Sequence, residues 1–525
     1  MLDRVDPGRP DRERRAPEDA PAKTPIPIEV DAPSGGGPGG EGTVLVGAVT
    51  LIGLKALTPA DFADIIVARV GQTLGPAELA ALATAIAGRA RARGYLFASA
   101  WIEPQRVSNG VLVVHVDEGR IDEIRFDGPV HPSVLRTLAP LADGRPARIE
   151  DVERRLLIAG DIDGVRISGS RFVRENGKGV LIVRVTQDNV AVRLQLSNDG
   201  TRPLGPAQAR IDVDFNAVLF SDDAFTVTWS GTPVDPRELQ FARVRYSTRL
   251  SPSGTELIFV TSGSRTQPAA YLDPLKLESR SWYAGAEVIQ PLMRRRRASL
   301  WLGGEFGVRD LVQRRGGVVI RHDRTAVARV TLYGNSEFAG GRLRAGATVS
   351  QGFGAFGATG PGDPLASRAD ADGRFTSVFL WSDWTTDVTD DLSVRLALQS
   401  QLATDPLLVT EETGLGGTSF LRGYDWSERS GDQGTMGSVE VRYVWTNAFG
   451  FIPRAQLYAF IDGGTVTNLQ GGLGSGELAS AGGGIRADLG KRTGANFEVA
   501  VPLTGPRYDT GDESAKLNFR VVQTF

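Results

Sequence analysis

From about Val190 to Phe525 apolar and polar residues alternate with a period of two, and no helical period interrupts the pattern. Side chains on a strand point alternately to opposite faces, so so long a stretch must be sheet with two unlike surfaces. Val192, Leu194 and Leu196 oppose Arg193, Gln195 and Ser197; Ile211, Val213 and Phe215 oppose Arg210, Asp212 and Asp214. Val394, Leu396 and Leu398 oppose Ser393, Arg395 and Gln399, and Leu517, Phe519, Val521 and Phe525 oppose Asn518, Arg520 and Thr524. A soluble sandwich alternates in the same way, but two observations favour a membrane barrel. About sixteen strands fit at the length of roughly 9 to 11 residues that a tilted membrane strand needs. Connections also alternate in length: Phe220 to Asp223, Ser251 to Gly254 and Gly490 to Gly494 are tight, whereas Gly354 to Gly373, Thr404 to Gly437 and Leu469 to Leu478 are long. Barrels of outer membranes sort their turns in this way. The polar face carries too much charge for a packed core and reads as lining water. Phe375 to Trp381, apolar on both faces, fits the scheme less well.

Composition removes several alternatives. No segment approaches the roughly 20 apolar residues of a spanning helix; the uncharged run Thr43 to Leu54 is short and reads as a strand. The 64 glycines and 29 prolines demand many turns. A net charge of -3 gives no general electrostatic case for nucleic acid. Cysteine is absent, so there is no disulfide framework, thiolate metal site or thiol nucleophile. His115, His131 and His322 are scattered without metal spacing, and Gly490-Lys491-Arg492 lacks the rest of a P-loop. No metal, cofactor or catalytic residue is therefore expected, and no nucleotide-driven step. Met1 to Pro10 lacks a secretory-signal pattern, so any signal is expected upstream or already removed.

Residues 1–42 are crowded with Pro, Gly and charge and are expected to be a disordered segment. Residues 43–118 and 119–188 read as tandem β-α-α-β-β modules. In the first, a strand near Val44 to Leu51 precedes a helix start at Thr58-Pro59, where Thr58 can cap; a second helix opens at Gly75-Pro76 and stops near Gly94. Strands follow at Phe97 to Ile102 and Val111 to Val116. The second module repeats the order, with a strand at Ile121 to Phe126, helices near Pro132 to Leu138 and Ile149 to Ile158, and strands near Val165 to Val173 and Val180 to Val185. Residues 189–525 form the barrel. The fold class is thus α+β modules followed by a 16-stranded antiparallel transmembrane barrel.

Two short motifs stand within that frame. Ser419-Phe420-Leu421-Arg422-Gly423-Tyr424 lies in a long connection, and Phe460-Ile461-Asp462-Gly463-Gly464 lies on a later strand. Alternation places Arg454, Gln456, Tyr458, Phe460 and Asp462 on one face, with Ala455, Leu457, Ala459 and Ile461 on the lipid-suited one. Asp462 therefore points inward, and a guanidinium on an inward-folded loop is its best-matched partner. The motifs resemble the [VL]RG[FY] loop and F-x-D-x-G strand signatures of two-partner secretion transporters, the haemolysin and filamentous-haemagglutinin secretion-activation family within the superfamily of outer-membrane assembly factors. The likeness covers residues 43–525 and includes two polypeptide-transport-associated (POTRA) modules, the barrel and the terminal Phe525.

The resemblance implies that Leu421, Arg422, Gly423 and Tyr424 anchor a pore loop, with Arg422 on Asp462 and with Phe460 and Gly464 completing the wall motif. Gly423 is expected to let the backbone turn tightly, Tyr424 to pack on the wall, and Gly482, Gly483 and Gly484 to give the loop tip room. Implied partners are an unfolded exoprotein with an N-terminal transport domain docking on the POTRA modules, outer-membrane lipid, and the barrel assembly machinery that inserts the barrel; nucleic acid is not among them. The exposed sheet edges at Ile121 to Phe126 and the hairpin near Val180 are candidates for strand addition by the exoprotein. Export would run without ATP, and the location implied is the Gram-negative outer membrane with the modules in the periplasm. The family often carries an N-terminal plug helix, which Pro7, Pro10 and Pro17 disfavour here. Alternatives are a barrel-insertion factor, which usually has more POTRA modules, and a diffusion porin, which needs neither modules nor an anchored loop. Arg294 to Arg297 read as a solvated turn.

Overall fold

In a computed structural model the described residues are 27–30, 42–107 and 109–525. Most of the segment 1–42, including the prolines at 7, 10 and 17, lies outside them. Within it β1 (Ile28–Val30) pairs in parallel with a later strand, Ser170 to Phe172. Ile28 and Val30 pack against the core of the second module, and their alternation with Glu29 suits a sheet edge with one apolar face.

The first module contains β2 (Val44–Leu45), β3 (Ala48–Ile52), α1 (Ala63–Val67), β4 (Thr73–Leu74), α2 (Pro76–Ala92), β5 (Ser99–Trp101) and β6 (Val111–Asp117). The Asp61 carboxylate accepts hydrogen bonds from the Thr58 backbone N–H at 2.9 Å and hydroxyl at 3.0 Å, which fixes the turn before α1 and holds that carboxyl below its usual value. Glu78 reaches back to Gly75 N at 2.7 Å, and Pro76 occupies the first position of α2. Leu79, Leu82 and Ile86 of α2 are buried against Leu112 and Val114 of β6.

The second module comprises β7 (Glu123–Phe126), α3 (Pro132–Leu138), α4 (Ile149–Gly160), β8 (Val165–Glu175) and β9 (Lys178–Gln187), in sheet order β1-β8-β9-β7. Its core includes a residue from the other module: Phe97 stacks on Phe172 with ring centroids 4.0 Å apart. Arg174 closes the junction through Phe97 O and Asp117, both at 2.8 Å.

The remaining strands close on themselves. They are β10 (Val190–Ser197), β11 (Gln208–Asn216), β12 (Asp223–Gly231), β13 (Gln240–Arg249), β14 (Glu256–Thr266), β15 (Leu277–Arg294), β16 (Ala298–Arg315), β17 (Val318–Phe338), β18 (Gly341–Gly352), β19 (Thr376–Asp387) and β20 (Leu392–Ala403). After two short loop strands, β21 (Thr413–Leu415) and β22 (Arg429–Gly431), come β23 (Gln433–Ala448), β24 (Ile452–Thr467), β25 (Gly476–Asp488), β26 (Thr493–Pro502) and β27 (Lys516–Thr524). Leaving out the β21–β22 hairpin, sixteen antiparallel strands form a closed barrel, sealed where β10 pairs with β27. Phe525 N donates to Val192 O at 2.9 Å just beyond that seam. Outward positions such as Leu396, Leu398, Val439, Ile461 and Phe519 are exposed, a continuous apolar exterior of the kind lipid covers. The doubly apolar stretch at Phe375 to Trp381 has its reason inside, where Phe375, Phe379 and Trp381 are buried.

Both barrel termini and the short turns share one end, and the second module docks there. Arg294 forks onto the Asp161 carboxylate with two bonds of 2.7 Å, Arg296 meets Glu153 at 3.3 Å, and Arg155 donates to Pro252 O at 2.8 Å. Arg136 pairs with Asp222 on another turn. Arg294 to Arg297 are therefore not simply a solvated turn: Glu153 of α4 and Asp161 just after it meet Arg296 and Arg294.

Candidate functional site: the loop held inside the barrel

At the other end, the connection between β20 and β23 folds back into the lumen. Its β21–β22 hairpin shapes the stem, and Leu415, Leu421 and Tyr424 pack with Met436, Val466 and Leu478 of the wall. This apolar cluster places the Arg422 side chain, only 3% exposed, beside β24.

Arg422 makes a forked contact with Asp462: Nε to Oδ2 at 3.0 Å and Nη2 to Oδ1 at 3.0 Å, with the Arg422 backbone N–H donating to Oδ2 at 3.1 Å. Its Nη1 also donates to Glu440 at 2.7 Å and Glu498 at 3.4 Å, and Nη2 to Ser438 Oγ at 3.2 Å. The guanidinium lies over the Phe460 ring, 3.3 Å from its centroid. Arg486 and Arg442 approach Glu440 from the wall at 2.8 and 2.6 Å, and Tyr458 donates to Glu498 at 2.9 Å. Three guanidiniums thus meet three carboxylates, and the charge cancels. Such balance is what makes the buried Arg422, Asp462, Glu440 and Glu498 tolerable. The Arg422 guanidinium is thus enclosed by paired side chains, while Arg486 on the wall stays partly accessible.

Among the neighbouring residues, Tyr424 sits as expected and the glycines do not. Gly423 is not in the left-handed region; Leu421 is, at φ 55°. Gly423 is needed because a Cβ there would lie 2.8 Å from the Val501 backbone. Tyr424 does pack on the wall: it is fully buried, and its hydroxyl donates to Gly505 O at 3.2 Å and accepts from Thr504 N at 3.2 Å. Gly482 and Gly484 do not clear the loop tip. They sit opposite Phe460 and Tyr458 in register, and a Cβ would approach those rings to 2.7 and 2.9 Å, so the glycines let the two aromatic rings lie flat against the wall. Gly464 lies where the loop stem packs, a Cβ there falling 3.1 Å from Leu415. Phe525, at the opposite end, takes no part.

Sequence reasoning missed Glu440, Glu498, Arg442 and Arg486. Alternation puts Glu440 between the outward Val439 and Val441, so its inward direction was readable; its height relative to the loop was not. A second missed knot joins three long connections. Arg368 binds Asp370 at 2.9 Å, Glu412 at 3.1 Å, Asp432 at 2.6 Å and Asn468 at 3.2 Å, and it holds the Asp370 carboxyl below its usual range. Asp425 is held by Lys516 and Arg507, both at 3.1 Å. These ties join the long connections to one another and to β27.

Comparison with known proteins agrees with this architecture. Residues 177–487 match the profile described as haemolysin secretion/activation protein ShlB/FhaC/HecB, and residues 44–119 match the ShlB-type POTRA domain. The outer membrane transporter CdiB of Escherichia coli is 23% identical over 476 residues, spanning 88% of this chain and 79% of its own. Among solved structures, CdiB from Escherichia coli superposes with a TM-score of 0.73 at 21% identity, covering 98% of this chain and 96% of the other. CdiB from Acinetobacter baumannii gives 0.63 at 16% identity, with 92% and 90% covered. At these identities the superpositions speak for the fold.

Proposed function

The chain belongs to the haemolysin secretion/activation protein family ShlB/FhaC/HecB, outer-membrane transporters of two-partner secretion whose POTRA modules lie in the periplasm, and from that premise we propose how it secretes its exoprotein. The unfolded exoprotein docks through an N-terminal transport domain on the modules at 43–118 and 119–188. It then passes through the lumen of 189–525, with no ATP at any step. Because β8 is the edge covered by β1 and β7 lies at the opposite edge of the same sheet, β7 is the edge of the second module that strand addition would reach without displacing β1. Docking of that module on the turns beside the lumen delivers the chain to the barrel mouth.

The Arg422 loop is the gate. The observation that carries this reading is the fork between Arg422 and Asp462 inside a closed barrel, because a chain in transit needs the space that this loop fills. Leu421 and Tyr424 seat the loop, and Phe460 and Gly464 shape the wall that receives it. Secretion of the exoprotein into culture supernatant tests the proposal. Arg422→Ala is expected to abolish it while the barrel remains heat-modifiable in the membrane, because an unseated loop opens the pore without engaging the passing chain; undiminished secretion from that variant would remove the gate role.

A further inference from the structure

On the outside of the barrel, two arginines face each other across neighbouring strands. Arg265 of β14 and Arg280 of β15 are direct register partners. Both point away from the lumen, since they continue the outward series Phe259, Thr261, Gly263 on one strand and Val288, Ala286, Ala284, Trp282 on the other. Like charges directly opposed on one face of a sheet repel, so this pair is unfavourable unless an anion lies between them. One carboxylate does: Glu278 meets Arg280 at 2.8 Å and Arg265 at 3.4 Å. A third guanidinium, Arg314 of β16, is the register partner of Glu278. Two arginines thus share one carboxylate, and the register sets Arg314 as a further positive charge beside it. The nearby Asp310 does not redress this, being engaged by Arg324 at 2.6 Å and His322 at 3.0 Å.

The height of the patch identifies its ligand. It lies on the long-connection side, one outward position above Trp282, which is 46% exposed, and the apolar band continues below. An indole at the end of an apolar belt marks the lipid interface, where headgroup phosphates sit. The arginines are accessible, with side chains 58% and 49% exposed, and a guanidinium fork suits phosphate oxygens.

We propose that Arg265, Arg280 and Arg314 form a binding site for the phosphorylated headgroup of an outer-leaflet lipid, which supplies the anion that Glu278 alone does not. The test uses the full chain in detergent, with lipid A carrying both phosphates as the probe and native mass spectrometry as the readout. Wild type is expected to retain the lipid, and the Arg265→Gln/Arg280→Gln double variant to bind it more weakly by roughly 25-fold, about fivefold per arginine near an anionic surface. Glu278→Gln, which removes the competing carboxylate, is expected to tighten binding and keeps the test decisive if the double variant fails to fold. Arg315→Gln, at the exposed hairpin tip, should leave binding unchanged. Equal binding by the double variant, equal binding of dephosphorylated lipid A, or displacement by equimolar inorganic phosphate would each overturn the assignment to a lipid.

Discussion

If Arg422 bolts the loop to the wall through Asp462, removing both residues should cost less than the two single removals together. Arg422→Ala leaves Asp462 and Glu440, both within 1% of full burial, without the guanidinium that neutralised them. Breaking a buried pair from one side costs about 3 to 5 kcal/mol because the surviving charge stays desolvated. Glu440 keeps Arg442 and Arg486, so the loss falls mainly on Asp462. Asp462→Ala is milder: Arg422 retains Glu440 at 2.7 Å and the face of Phe460. The coupling energy from the double-mutant cycle should be about 2 to 3 kcal/mol, within the range for residues sharing one network. The assay is the open probability of single channels in planar bilayers, in which about 1.4 kcal/mol is a tenfold change in the ratio of released to seated loop. The single Arg422→Ala channel should be open far more often than wild type, and the double variant should partly reverse this. Strictly additive effects would refute the claim that the two side chains act as one lock.

Further expectations follow from the same contacts. Tyr424→Phe loses the hydroxyl bonds to Gly505 and Thr504 and should raise the ratio of released to seated loop by roughly 5- to 160-fold, at about 0.5 to 1.5 kcal/mol for each of the two bonds. Gly482→Val should prevent a heat-modifiable barrel from forming, because even a Cβ would lie 2.2 Å from Val499 O; normal electrophoretic mobility shifts would contradict this. Phe97→Ala should destabilise the second module by about 3 to 5 kcal/mol, read as faster hydrogen exchange in β8 and β9 as well as in the first module. Arg294→Glu should loosen α4 from the barrel turns by opposing Asp161, seen as increased exchange in 149–160 with the barrel strands unaffected.

What the sequence revealed and what it hid have a physical division. Period-two alternation reports the face of each residue directly, which is why the barrel, its apolar exterior and the inward direction of Asp462 were readable. Two motifs then named one cross-lumen pair. Alternation says nothing about which inward residues share a height, so Glu440 and Glu498 emerged only from the strand registers. The same limit applies to Gly482 and Gly484, whose role depends on the rings of Phe460 and Tyr458 lying across them. Contacts between modules leave still less trace: Phe97 reads as an ordinary strand residue, yet its ring completes the neighbouring core. Arg294 to Arg297 look like a solvated charge run until α4 supplies Asp161 and Glu153.

The central claim is that β23 has one face in lipid and the other sealed beneath the Arg422 loop. The chain has no cysteine, so single cysteines can be placed at Ser438, which touches Arg422, and at its outward neighbour Val439. Maleimide labelling of the membrane-embedded protein is predicted to modify Val439→Cys with a lipid-soluble reagent only. Ser438→Cys should resist both lipid-soluble and water-soluble reagents until Arg422→Ala is added, and then react with the water-soluble one. Rapid aqueous labelling of Ser438→Cys in the otherwise intact protein, or aqueous labelling of Val439→Cys, would contradict the account.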